Sequence, residues 1–247
     1  RQLRASELRY MTDSTELVYA LNLLDTAITA RSRSGSSATE FLSSFSQWLQ
    51  SQINQGPMLF SASFRANGNL LSQWRGYSNH GKGVSLGFNH EAIQSLAVAQ
   101  NFYLGQCLYD SQEQHDLAYE IVDCLISMYQ EGEDRSAIFH GIEADLMIIC
   151  ALLKHPSFAE EQEWRLISPT FTSTADAPIA FREGKAMLVP YYLFDLELDR
   201  VIKLDHVFVG PTPNAALSVN SLMHYLTNKN ARPEKGISDS EIPYRPR

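Results

Sequence analysis

Two short stretches of this 247-residue chain set a permanent guanidinium beside an indole: Leu71-Ser-Gln-Trp-Arg-Gly-Tyr77 and Glu161-Gln-Glu-Trp-Arg165. Both lie inside apolar, strand-like runs. In the first, Trp74 or Tyr77 can stack on a planar group while Arg75 forks onto a carboxylate or phosphate, with Gln73 alongside. Equally, Trp74 can be a core indole with Arg75 tied to a core carboxylate. In the second, strand residues two apart share a face, so Glu161, Glu163 and Arg165 point one way and Gln162, Trp164 and Leu166 the other. The Trp164/Leu166 face suits a core. The charged face needs solvent, a partner or a ligand, because unpaired buried charge is costly. Two carboxylates on one strand can activate a nucleophile or steady a developing positive charge. A solvated ladder with Arg165 paired to Glu163 is the plainer alternative, and spacing alone favours it.

His155, beside Lys154 at a helix end, is a further candidate ligand residue, although a protonated imidazole complementing the helix dipole explains it more simply. The other histidines, His80, His90, His115, His140, His206 and His224, form no HxxxH or HxH pattern, so no metal is expected. Gly81-Lys-Gly83 lacks the Gly-rich run of a phosphate loop, and no Gly-x-Ser-x-Gly elbow is present. Serine hydrolases and nucleotide triphosphatases of the usual kinds are thereby set aside.

Composition narrows the class further. A net charge of -8 argues against a general polyanion binder, though a guanidinium-lined pocket can hold one phosphate on an acidic protein. Cys107, Cys124 and Cys150 are sparse and odd in number, which reads as reduced thiols in a cytosolic protein. No apolar run approaches the roughly 20 residues of a membrane helix, and no signal peptide is recognised, so no membrane partner is expected.

The elements that must position these residues follow from periodicity. Asp13-Ser-Thr-Glu16 has a capping-box pattern ahead of Leu17, Ala20, Leu21, Leu24 and Ile28 at helical spacing. Residues 31–37 read as a loop, 38–53 as a helix and 58–64 as a buried strand. A glycine-containing strand at 81–88, a short helix at 91–99 and a strand at 102–109 come next. Two long helices at 112–129 and 135–153 are closed by Pro156. Strands at 163–168, 179–182, 185–192 and 201–209 precede a last helix at 215–227. The expected fold is a single α+β domain with a central mixed or antiparallel sheet flanked by helices, and a helical insertion before the late strands.

Taken in order, several segments resemble the bacterial domain-of-unknown-function family 2971. They are Tyr10-Met-Thr-Asp-Ser-Thr-Glu16, Ser61-Ala-Ser-Phe64, Leu71–Tyr77, Gly81–Phe88, Lys154-His-Pro-Ser-Phe158 with Glu161–Arg165, Val209-Gly-Pro211 and Ile242-Pro-Tyr-Arg245. Thr12 stands where the family usually has Asn. Members usually begin with a further strand and helix, so the resemblance implies an N-terminal segment preceding Arg1. The layout also resembles, at a distance, the ADP-ribosyltransferase superfamily. Those proteins hold NAD on an early strand, stack an aromatic on nicotinamide and use a late-strand Glu to stabilise an oxocarbenium-like transition state.

That resemblance implies NAD as substrate, Glu163 as the catalytic carboxylate with Glu161 beside it, Trp74 or Tyr77 for stacking, and Arg75 or Arg165 for the pyrophosphate. It makes the chain an NAD-cleaving or ADP-ribosyl-transferring enzyme, of the kind found in toxins and phage-defence effectors, with a protein, a nucleic acid or water as acceptor. On this reading Glu163→Ala abolishes turnover and leaves the fold intact. A non-catalytic module that binds a nucleotide-like small molecule or a partner, through the same Trp/Arg/Glu groups, is the alternative. A structural subunit with a Glu/Arg interface is a third.

Overall fold

The computed structural model describes residues 1–11, 15–33, 38–78, 83–129, 134–175, 177–184 and 186–242. The capping box at 13–16, the serine-rich end of the 31–37 loop, His80, Gly81-Lys82 and the closing 243–245 of the tail motif fall wholly or partly outside them.

In chain order the elements are β1 (Gln2–Glu7), α1 (Thr15–Arg33), α2 (Thr39–Gln55), β2 (Phe60–Arg65), α3 (Leu71–Tyr77), β3 (Val84–Phe88), α4 (His90–Ala99), β4 (Tyr103–Gln106), α5 (Ser111–Met128) and α6 (Arg135–Leu152). After a 3-10 turn (Pro156–Glu161) come β5 (Glu163–Ile167), β6 (Ile179–Glu183), β7 (Leu188–Asp195), β8 (Glu197–Leu198), β9 (Val201–Val209), α7 (Ala215–Asn228), β10 (Ala231–Pro233) and β11 (Ile237–Asp239). The class is α+β, as expected. Among the described residues no helix is long and apolar enough to cross a membrane.

The chain divides into two compact units. The larger comprises residues 4–64 and 101–193. Its sheet runs in the order β4-β5-β2-β1-β7-β6, with β1–β2, β4–β5 and β6–β7 antiparallel. The two sheet faces differ. On one, Phe60, Phe102, Phe171 and Tyr192 form an aromatic cluster with ring centroids 5.1 to 6.3 Å apart. On the other, Leu59 and Ile167 join the apolar core of α1, α2, α5 and α6, where Leu24, Phe41, Phe45, Val122 and Cys150 are fully buried.

The helices start where the sequence supplies acceptors. The Asp110 carboxylate accepts the backbone N–H groups of Gln112 and Glu113 at the start of α5, and Asp134 accepts that of Ser136 at the start of α6. The smaller unit comprises residues 1–3, 65–100 and 194–247. In it β9 pairs antiparallel with β3 and β8 and parallel with β10 and β11, and Leu204, Val207, Leu226 and Ala231 form its core.

Three local expectations are corrected. Leu71–Tyr77 is a helix, not part of a strand: Trp74 is its one buried residue and seats on Asn69, Leu71 and Gln73 are half-buried, and Ser72, Arg75, Gly76 and Tyr77 face outward. Residues 31–33 continue α1, where Arg31 is held by Asp123 of α5. A strand, β1, occupies Gln2–Glu7 at the middle of the larger sheet, a position that the sequence reading left without an element.

A candidate functional site around two carboxylates and one ammonium

β5 turns its charge inward. Glu163 and Arg165 are each 1% exposed, while Trp164 is half-buried and Leu166 fully buried, so both strand faces are covered. Of the alternatives, the Arg165–Glu163 pair forms, but on a buried face rather than as a solvated ladder, and Lys154 is the reason. Its ammonium, itself 1% exposed, is within hydrogen-bonding reach of Glu163 Oε2, and Arg165 Nε donates to Glu163 Oε1 at 2.9 Å. Arg165 Nη1 also donates to the Ala151 carbonyl at 2.6 Å. With opposite charges and fixed acceptors in place, the cost of burial is met inside the protein.

Glu161 enters the same network by another route. It ends the 3-10 turn, and Gln162, in the left-handed region at φ 42°, separates it from β5, so Glu161 and Glu163 do not share a strand face. They share a cation instead: Lys154 Nζ donates to Glu161 Oε2 at 2.5 Å. Glu161 is the partly exposed carboxylate of the pair and Glu163 the buried one. Two carboxylates, one ammonium and one guanidinium give no net charge.

Burial by itself pushes the Glu163 carboxyl up. The Arg165 charge, followed by hydrogen bonds from Arg165, Lys154 and Ser63, outweighs burial and holds the pKa at about 2. Glu163 is thus ionised at any physiological pH. Its main chain is fixed too, since its N–H donates to the Tyr109 hydroxyl at 3.0 Å and its carbonyl accepts the Cys107 N–H at 2.9 Å. The Tyr109 phenol is pushed up by burial. Removal of the carboxylate would take a shared acceptor from two buried cations, so Glu163→Ala is argued to lower stability, whereas the sequence-based expectation is a variant that loses turnover and keeps its fold.

Lys154 is placed by backbone ties. Its N–H donates to the Leu108 carbonyl at 3.1 Å, and its carbonyl accepts Gln114 Nε2 at 2.8 Å. Gln114 is fully buried, donates also to Leu108 at 2.7 Å and accepts the Tyr19 hydroxyl at 2.7 Å. His155 is exposed and stands edge-on to Tyr19, centroids 5.2 Å apart. Its Nδ1 accepts the Ser157 N–H at 3.2 Å. It caps the 3-10 turn.

The first cluster lies in the smaller unit. Trp74 is buried and its Nε1–H donates to Asn69 Oδ1 at 2.9 Å, an oxygen that also accepts the Ser240 hydroxyl at 2.7 Å. The indole is thus a structural pin. Gln73 is half-buried, whereas Arg75 and Tyr77 face outward, Tyr77 at 74% exposure.

Further polar residues lie on the strands beside Glu163, and the Ser63 side chain hydrogen-bonds it. β2 lies between β1 and β5, so Ser61 and Ser63 share the sheet face of Glu163, and Ser6 stands opposite Ser61. Two residues before Ser6, Arg4 stands 5.1 Å over the Tyr191 ring. The Ser61 hydroxyl is buried with no hydrogen-bond partner among the described residues. Strand alternation in Ser61-Ala-Ser63, and the seven- and nine-residue steps from Lys154 to the two acids, were the signals that could have found them. Among the described residues no three His, Cys, Asp or Glu side chains are placed to hold a metal ion.

No curated protein and no solved structure matches this chain. Neither resemblance to ADP-ribosyltransferases nor use of NAD is carried by any such match. Residues 73–166, which take in both Trp-Arg clusters, match the model of a family described as a protein of unknown function (DUF2971).

Proposed function

We propose that the protein is an enzyme that cleaves NAD or transfers its ADP-ribose, with Glu163 as the carboxylate that steadies the positive charge developing on the ribose. One observation carries this reading: Arg4, Ser6, Ser61, Ser63 and Glu163 lie on one face of three adjacent strands, β1, β2 and β5. An early strand with a cation, a middle strand with hydroxyls and a late strand with an ionised carboxylate are the parts such chemistry needs. The arginine suits a phosphate, the hydroxyls suit a ribose, and the carboxylate is pre-oriented, so little reorganisation is required as charge develops. The Ser61 hydroxyl beside them is buried and without a hydrogen-bond partner among the described residues, a polar atom of the kind that calls for an explanation. Tyr191 and the exposed Phe158 are aromatic candidates for stacking on the same unit.

The test is NAD consumption by the chain, alone and with protein or nucleic-acid acceptors, wild type beside Glu163→Gln. Turnover by wild type that the glutamine variant loses is the expected result, and absence of turnover with every acceptor overturns it. One observation favours a binding module instead: both Glu163 oxygens already hold cations. On that reading NAD or ADP-ribose binds and no nicotinamide is released.

A further inference from the structure

We propose that one face of the smaller unit's sheet, the face that carries Lys203, Arg232 and His206, binds the sugar-phosphate chain of a single-stranded nucleic acid. Lys203 on β9 and Arg232 on β10 stand directly across from each other on neighbouring parallel strands, so their side chains leave the sheet on the same side. Their neighbours Ile202 and Ala231 turn the other way, into the apolar core of that unit. Both cations are exposed, and among the described residues neither side chain has an ion pair or a hydrogen bond. Like charges set opposite one another repel, so the pair costs stability that an anion laid across it restores.

The acids nearby are placed elsewhere. Asp205 holds Lys235 at 2.8 Å, and Glu197, on the strand at the other flank of β9, holds Arg1 at 2.8 Å. Glu234, which follows β10, is exposed and pairs with neither cation. Arg200, exposed on the two-residue turn between β8 and β9, adds a third unpaired cation at this end of the sheet. On a chain of net charge -8, three unpaired cations gathered at one end of one sheet are a local exception.

The same face continues into a pair of rings. Leu204 and Val207 both enter the core although they are three residues apart, because β9 carries an extra residue where its register against β3 shifts. His206 and Phe208 therefore fall on the face of Lys203, edge to face with ring centroids 4.2 Å apart. Gly87, directly across from His206 on β3, brings no side chain over the imidazole, and the Ser238 hydroxyl meets its Nε2 at 3.0 Å. Lys203 and His206 stand about 10 Å apart along β9, with Arg232 about 5 Å to the side. Groups spread over that span meet successive nucleotides rather than clamp one phosphate: the cations take the backbone, and the imidazole offers a face to an unstacked base. A duplex keeps its bases stacked and offers none, so a single strand is the ligand that uses the whole face. The inference does not depend on NAD cleavage.

The experiment is fluorescence anisotropy of a labelled oligothymidylate of about 16 nucleotides, titrated with the chain over a range of salt. Wild type is expected to bind with an affinity that falls as salt rises. Lys203→Gln and Arg232→Gln are each expected to lower the slope of log K against log salt by about 0.7, whereas Lys203→Arg, which keeps the charge, retains the wild-type slope. His206→Ala is expected to weaken binding roughly tenfold through the lost stacking. Absence of oligonucleotide binding by wild type, or a slope unchanged in both glutamine variants, overturns the inference. Binding to phosphatidylserine vesicles without binding to the oligonucleotide also overturns it, and assigns the cations to a membrane surface.

Discussion

Glu163 holds a different cation on each carboxylate oxygen, and its pKa follows from that. With an ordinary value of 4.5 and a folded value of about 2, the carboxyl contributes roughly 3 kcal/mol above its ordinary value. That contribution is lost as pH falls from about 4.5 through about 2. Urea unfolding of wild type across this window should show stability declining, and Glu163→Gln should be less stable at neutral pH and flatter below pH 4.5. Equal slopes in the two proteins would assign the acid sensitivity to other groups. Glu7 behaves oppositely: it is buried beside Arg9, and burial is the dominant influence that raises its carboxyl. Any stability linked to that raised value is lost as pH rises through it. Of the residues named from spacing, Glu161, Glu163 and Arg165 gather with Lys154 and His155 caps the turn beside them, whereas Gln73, Trp74, Arg75 and Tyr77 belong to another unit. Spacing could not find Lys154 as the link, because a lysine before His-Pro looks like any solvated helix end until the sheet closes over it.

At the scale of elements, Arg9 joins three parts of the larger unit. It pairs with the buried Glu7 at 2.7 Å and donates to the carbonyls of Asn54, Gly56 and Pro57, satisfying the end of α2. Arg9→Met should cost about 2 to 4 kcal/mol in denaturant unfolding, because it strands a buried carboxylate and frees carbonyls. Glu7→Gln in the same chain should recover part of the loss, and no recovery would mean the carbonyl contacts matter most. α3 depends on one indole, so Trp74→Phe, which keeps an aromatic ring but loses the bond to Asn69, should cost about 1 kcal/mol by the same measurement. α5 and α6 were legible because their apolar positions recur at helical spacing and an Asp precedes each. α3 was not, since seven residues carrying Trp and Tyr satisfy strand preference equally well. β1 escaped because Glu7, buried by its partner Arg9, breaks the apolar alternation that would have marked a strand.

Across the whole molecule, burial is unevenly distributed between elements. α2 seats Phe41, Leu42, Phe45, Leu49 and Ile53 in its unit's core, whereas α7 buries only Leu226 among residues that include exposed Leu217, Met223 and Tyr225. Native-state hydrogen exchange should therefore be slowest in α2, α6 and β5 and faster in α7, since local opening of α7 exposes little apolar surface. Amides of α7 that exchange as slowly as those of α2 would show it to be covered in solution. From the sequence by itself came the α+β class and the long helices, because periodicity, caps and turns act over a few residues, and a resemblance to a family of unknown function that a match covers over residues 73–166. Only the tertiary structure decided that the charged face of β5 is interior, that Glu161 and Glu163 meet through Lys154, and that β1, β2 and β5 align Arg4, Ser61, Ser63 and Glu163. That alignment gathers on one sheet positions as much as 159 residues apart (Arg4 to Glu163), and such a gathering is set by which strands lie side by side rather than by any local pattern.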